Sequence, residues 1–328
     1  MKYNFKNIAF FATAILAMGA FTACSNEIEN IDEPQKETKT ITFTATLGED
    51  NSLSRTSYEE VAEGNGIKLK TKWNNEDKLY IGLVNTISGG EGKYDIENPE
   101  SGFSTATITD ITNEGKTATF SITINDNWQE GQQLNVLYGE KNKLSIFKKN
   151  NFATITINGS ENRTVGDNFL NYHLGKYDFM SASTIYSNGT LGDFTLKHET
   201  SVIKFTLKDL DKGDEIKYFE IKSTDNTNIF ATRAYLNNDN GYKTASAESS
   251  TFNTNESYTS IKESDGLWYV YLVIPPTKLT EGKNITITAK DNMSEMYTAT
   301  LYGLSAFEAG KIYTTPTITM KKQETTVQ

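Results

Sequence analysis

Histidine occurs only at His173 and His198 and cysteine only at Cys24, so the side chains that do most nucleophilic, metal and proton-transfer chemistry are nearly absent. Neither histidine stands in an HExxH pair, and no Gly-x-Ser-x-Gly turn lies near either one. Both read as structural or surface residues. The 42 Asp and Glu residues could supply an acid and a base for glycoside hydrolysis, but acids scattered along the whole chain single out no pair. Asn237-Asn238-Asp239-Asn240-Gly241 offers oxygen ligands suited to calcium. Asn and Gly between two strand-like runs make, first of all, a hairpin turn. Asn74-Asn75-Glu76-Asp77, directly after Trp73, reads as a turn in the same way. No enzymatic activity, metal or cofactor is expected.

The lone cysteine has a different use. Lys2 and Lys6 precede an apolar run over residues 8–23 that ends in small residues at Cys24, the pattern of a secretory signal peptide. The run is shorter than the roughly 20 residues a spanning helix needs. Phe21-Thr22-Ala23-Cys24 resembles a bacterial lipobox without its usual leucine, which implies a lipid on Cys24 after cleavage; plain secretion with a cut near Ala23 is the alternative. A single cysteine excludes an intrachain disulfide. Glu27, Glu29, Asp32 and Glu33 follow, and such acidity resembles a surface-export signal of Bacteroidota lipoproteins as well as a solvated tether.

What must position any site is a β framework. The 328 residues suggest two domains at about 150 residues each. Forty-four threonines, 34 Tyr and Phe together and only five prolines, in short runs broken by Asn, Asp and Gly, indicate all-β sandwiches. The formal charge is −10, which disfavours a phosphate-backbone binder, so no nucleic-acid partner is expected. Residues 41–47 alternate strictly, with Ile41, Phe43, Ala45 and Leu47 on one face and threonines on the other. Similar runs recur at 67–73, 78–84, 105–111, 117–124, 132–138 and 152–158. A second series covers 202–207, 216–221, 229–236, 267–274, 285–289, 297–301 and 312–320. Residues 267–274 are apolar on both faces and should form the most buried strand of the second series, stopped by Pro275-Pro276. The expected organisation is a signal peptide over 1–23, an acidic tether over 24–39, β-sandwich domains over 40–185 and 186–322, and a tail over 323–328.

Several stretches in order along the chain resemble the fimbrillin family, the type V pilus subunits of Bacteroidota that include Mfa-like lipoproteins. They are Cys24-Ser25-Asn26-Glu27, the strand over 41–47, Arg55-Thr56, Trp73-Asn74-Asn75-Glu76-Asp77-Lys78-Leu79, Asp178-Phe179-Met180-Ser181-Ala182, residues 196–205, Val273-Ile274-Pro275-Pro276 and Ala309-Gly310-Lys311-Ile312-Tyr313. The resemblance implies two tandem transthyretin-like β-sandwich domains and a lipoprotein held in the outer membrane at the cell surface through Cys24. It implies neither catalysis nor a cofactor. It further implies cleavage after an arginine by an arginine-specific surface protease, loss of the first strand, and polymerisation with other fimbrillin subunits into an adhesive fimbrium by strand exchange.

Three arginines are candidates for that cut: Arg55, Arg163 and Arg233. Arg55 follows the first strand, and cleavage there would leave Thr56 as the new amino terminus; a surface arginine in a flexible loop is the alternative. Arg163, in a polar turn, stays a rival, whereas Arg233 lies inside an expected strand. Loss of Ile41, Phe43, Ala45 and Leu47 would strip a sheet edge and open a row of apolar pockets. The candidate donor is the carboxy-terminal segment, with Ile318 and Met320 on one face and Pro316 confining it to an edge; closure of its own sheet is the other reading. The competing function is a glycan-binding surface lipoprotein, for which Trp128, Tyr186, Tyr242 and Tyr258 in or beside expected loops are the candidate platform.

Overall fold

The structure, a computed structural model, describes residues 38–47, 59–63, 66–70, 72–84, 92–125, 128–141, 144–149, 152–156, 177–210, 215–239, 241–244, 247–254, 260–261, 265–276, 282–303 and 306–324. Cys24, Arg55, Thr56, Arg163, His173 and Tyr258 lie outside them. The described elements are strands and two short 3-10 turns, so the chain is all-β.

Thirteen strands come first: β1 Thr38–Leu47, β2 Glu59–Glu63, β3 Gly66–Lys70, β4 Lys78–Gly82, β5 Gly92–Asp95, β6 Phe103–Thr112, β7 Thr117–Asn125, β8 Gln132–Tyr138, β9 Ser145–Lys149, β10 Phe152–Thr156, β11 Met180–Ser187, β12 Thr190–Leu191 and β13 Thr195–His198. Of these, β1, β7, β6, β4, β8, β11 and β13 are joined in that order, and β13 pairs back to β1, so the ladder closes on itself. Inward side chains from this ring form the first core, centred on Phe120, Trp73, Tyr138 and Val136. β4 and β8 are buried on both faces: Leu79 and Ile81 enter the first core, while Tyr80 and Leu137 point into a second layer.

The remaining strands are β14 Ser201–Lys208, β15 Glu215–Ser223, β16 Arg233–Asn237, β17 Gly241–Thr244, β18 Thr251–Thr254, β19 Ser260–Ile261, β20 Trp268–Ile274, β21 Ile285–Asp291, β22 Met296–Leu301, β23 Ile312–Thr319 and β24 Lys321–Lys322. β14 lies between β20 and β23, and this three-stranded sheet faces the β18-β15-β21-β22-β24 sheet across a core built on Phe205, Phe219, Phe230 and Trp268. As the sequence suggested, β20 is buried on both faces: Val270, Leu272 and Ile274 point into this core and Tyr271 and Val273 into a cluster with Val202.

Two features bear on the expected organisation. The boundary expected at 185/186 falls inside β11, and the first ring runs on to His198. Ser187-Asn188-Gly189 is the tight turn of the β11–β12 hairpin, where Asn188 and Gly189 both take positive φ, 51° and 74°. That backbone suits a two-residue hairpin turn. The β16–β17 hairpin adds to β10 across that boundary, giving a sheet ordered β17-β16-β10-β9-β5, and Glu37–Gln328 form one compact unit. The expected turn at Asn237–Gly241 is present, with Asn237 paired to Gly241 and the Asn237 side chain accepting from the Asp239 amide.

Candidate functional site

β1 is bound very unequally along its two edges. On one side it pairs antiparallel with β7 from Thr38↔Asn125 to Thr46↔Thr117. On the other it meets β13 in parallel, only at Thr46↔Thr195 and Leu47↔Leu196. Strict alternation puts threonines outside and Ile41, Phe43, Ala45 and Leu47 inside, where each is no more than 7% exposed. All four face the core, as their alternation implies.

The inner face of β1 completes the first core. Phe43 stacks on Phe120 with centroids 5.6 Å apart and planes 9° from parallel, and tilts against Phe194 at 5.7 Å. Trp73 meets the edge of Phe120 at 5.2 Å and Tyr138 at 5.6 Å, so Phe43 and Trp73 share one aromatic cluster. The Asn74–Asp77 turn holds this corner: the Asp77 amide donates to the Asn74 carbonyl, and Tyr138 donates its hydroxyl to Asp77 at 3.0 Å. Burying the Ile, Phe and Leu side chains stabilises the docked strand by about 1.5–3 kcal/mol each. A vacated β1 site would therefore be a groove walled by Ala118, Phe120, Ile122 and Ile124 of β7, with a run of unpaired β7 backbone at its edge.

The candidate donor segment is seated in the chain's own sheet. β23 pairs in parallel with β14, and Ile318 and Met320 are buried in the second core. Pro316 sits where the register shifts between Lys204 and Thr206, and the Thr206 amide donates to the Thr315 hydroxyl at 3.2 Å. Beyond it, β24 crosses to β22, and Lys322 pairs with Glu295 at 2.7 Å.

Arg233 opens β16, as expected of a strand residue, and its guanidinium forks onto Glu248, which lowers the Glu248 pKa. His198 is buried against Asp178, in keeping with a structural role. Among the described residues, Trp128, Tyr186 and Tyr242 do not gather into one platform. Trp128 and Tyr186 pack edge to face at 5.6 Å against the first core, and Tyr242 lies on β17 with its ring tilted against Phe179 at 4.9 Å. Burial pushes the Tyr242 phenol pKa well up. Exposed aromatics among the described residues include Phe147, Tyr235 and Tyr302, none of them a platform candidate from the sequence. Among the described residues no group of three or more His, Cys, Asp or Glu side chains is placed to hold a metal ion.

No protein-family model matches the chain, and no curated protein matches it. Among solved structures it is similar to a "putative cell adhesion protein" from Bacteroides ovatus ATCC 8483, at 16% identity over 88% of this chain and 97% of that one, with a TM-score of 0.44. A "putative adhesin" from the same organism is similar at 11% identity over 94% and 100%, TM-score 0.39. The fimbrial anchor protein Mfa2 from Porphyromonas gingivalis is similar at 10% identity over 76% and 77%, TM-score 0.31. Two carry adhesion descriptions and one a fimbrial one; at this distance no residue role transfers from them to this chain.

Proposed function

We propose that this chain is a non-enzymatic, fimbrillin-type subunit of a cell-surface fimbrium with a role in adhesion. In this reading it is built as two transthyretin-like sandwich domains, exported as a lipoprotein on Cys24 and tethered to the outer membrane. An arginine-specific surface protease cuts after Arg55, Thr56 becomes the amino terminus, and β1 is exchanged for a strand of a neighbouring subunit.

The observation that carries the proposal is the asymmetry of β1: a full antiparallel ladder on one edge, two residue pairs on the other, and four side chains that complete a core. Such a strand can leave as a unit and be replaced by another of the same alternation. β23 becomes a donor only by leaving its parallel ladder with β14, a pairing slightly weaker per residue than an antiparallel one. Amino-terminal analysis of surface-assembled material tests processing: Thr56 as first residue supports it, and lipid-blocked Cys24 throughout assembled fibres overturns it. For the donor, a peptide covering residues 313–322 is titrated onto Arg55-cut protein; absence of binding removes β23 from that role.

A further inference from the structure

The β17-β16-β10-β9-β5 sheet carries one straight row of residues across all five strands. Lys243 pairs with Tyr235, Tyr235 with Thr154, Thr154 with Phe147, and Phe147 with Lys93. The inner side of this sheet is core, with Ile146, Ile155, Ala234 and Leu236 fully buried. Phe147 and Tyr235 alternate with those residues along their strands, and they are 42% and 41% exposed. Two aromatic side chains held in solvent by a rigid sheet need a reason, because an outward position in a strand is ordinarily polar.

We propose that this row binds an anionic polysaccharide lying across the strands. At about 4.8 Å between strands, the two aromatics stand about 10 Å apart and the two lysines about 19 Å apart. An aromatic face suits the apolar C–H face of a sugar ring, so two rings with a gap between them engage alternate units of an extended chain. Lys93 and Lys243, both exposed and without a described carboxylate partner, bracket the aromatics and supply the cations for uronate or sulfate groups. Among the described residues of these strands Asp95 is acidic and exposed, and Arg233 is already held by Glu248. In a chain of formal charge −10, a cation at each end of an exposed aromatic row is a local reversal of sign.

Other occupants fit less well. A row about 20 Å long and 10 Å wide offers about 200 Å2, far below the roughly 800 Å2 per partner of a stable protein interface. Single-stranded nucleic acid calls for a cationic groove that follows the backbone, whereas this face is an open sheet. The inference rests on the adhesive reading above for its setting alone, since the row is remote in pairing from β1.

The test is affinity electrophoresis of the intact, uncut chain in gels containing heparin, polygalacturonate or dextran, with labelled single-stranded DNA run in parallel. Retardation by at least one of the two acidic polymers and not by dextran is expected. Phe147→Ala with Tyr235→Ala should weaken it at least tenfold, and Lys93→Gln with Lys243→Gln should weaken it and flatten its salt dependence. Tyr302→Ala, at an exposed aromatic beyond β22, should leave it unchanged. The proposal is overturned by no retardation in either acidic polymer, by equal retardation in dextran, by equal binding of the DNA, or by indifference to the Phe147/Tyr235 change in variants whose thermal unfolding matches the parent. Because β1 stays in place throughout, these outcomes are independent of whether strand exchange occurs.

Discussion

His198 Nδ1 lies 3.0 Å from Asp178 Oδ2, with both side chains sealed from solvent where the chain leaves the first ring for the second core. The same carboxylate accepts from the Thr200 hydroxyl at 2.6 Å and from the Phe179 amide at 2.8 Å. One buried carboxylate thus ties together the start of β11 and the β13–β14 crossing, and its removal would orphan several polar groups at once. Asp178→Ala should cost about 3 kcal/mol in urea unfolding, with His198→Ala costing less. The double variant should show a coupling of about 1–3 kcal/mol. Additive effects would mean that the imidazole and the carboxylate do not stabilise each other.

Next to this pair, burial raises the Glu199 pKa, against the opposing effects of the Ser181 hydroxyl, which donates to it at 2.5 Å, and of Lys197 and His198; Asp178 adds to the rise. A carboxyl whose folded pKa exceeds its unfolded one contributes stability that is complete below the unfolded value of about 4.3 and is lost as pH rises through the folded value. Glu199→Gln, permanently neutral and still able to accept from Ser181, should therefore be more stable than the parent at pH 7. The two should converge below pH 4 in thermal or urea unfolding. A stability difference that does not change with pH would place the effect in packing instead.

At Gly82 the β4–β6 pairing leaves no room for a side chain: a Cβ there would stand 2.1 Å from the Gly102 carbonyl oxygen and 2.8 Å from the Phe103 Cα. Backbone cannot swing aside as a side-chain tip can. Gly82→Ala should cost about 1–3 kcal/mol, as overpacking does in a tight core. Gly131→Ala offers a comparison, because a Cβ at Gly131 meets nothing within 4 Å and its penalty comes from φ of 76° alone.

The parts legible in the sequence are those where local pattern and final environment coincide. β1 alternates because one face is core and the other solvent; β20 does not alternate because both faces are buried. Pro316 marked an edge strand, and it sits at the irregularity of β23. The illegible parts are the long-range pairings. Nothing local says that Ala153 lies opposite Leu236, so the β16–β17 hairpin reads as part of the second half while it completes a sheet of the first. β9 went unrecognised because adjacent Ile146 and Phe147 give no sign of which faces inward; only pairing with β10 and β5 fixes that. Tyr242 follows a turn signal, and the turn is real, but its ring folds back over Phe179.

The pairing of β1 with β7 has a property that makes the groove selective. Ile41 stands opposite Ile122, Phe43 opposite Phe120 and Ala45 opposite Ala118, so residues 40–46, TITFTAT, are residues 117–123, TATFSIT, reversed with one Thr-to-Ser difference. Each row across the ladder pairs residues of matched size, two rows large and one small. Ala45 and Ala118 are both completely buried, leaving no space for a longer side chain at that row. A peptide covering residues 38–47, offered to a chain from which that segment has been removed, should bind in this register. Phe43→Ala in the peptide forfeits the stack on Phe120 and leaves a cavity worth about 3–5 kcal/mol, which weakens binding by more than a hundredfold. Ala45→Leu overpacks the small row at about 1–3 kcal/mol, at least fivefold in affinity. Thr44→Val, on the exposed face, should change affinity by less than about threefold. Equal binding of all four peptides would mean that the backbone ladder alone holds the strand, and that the groove would accept any extended segment.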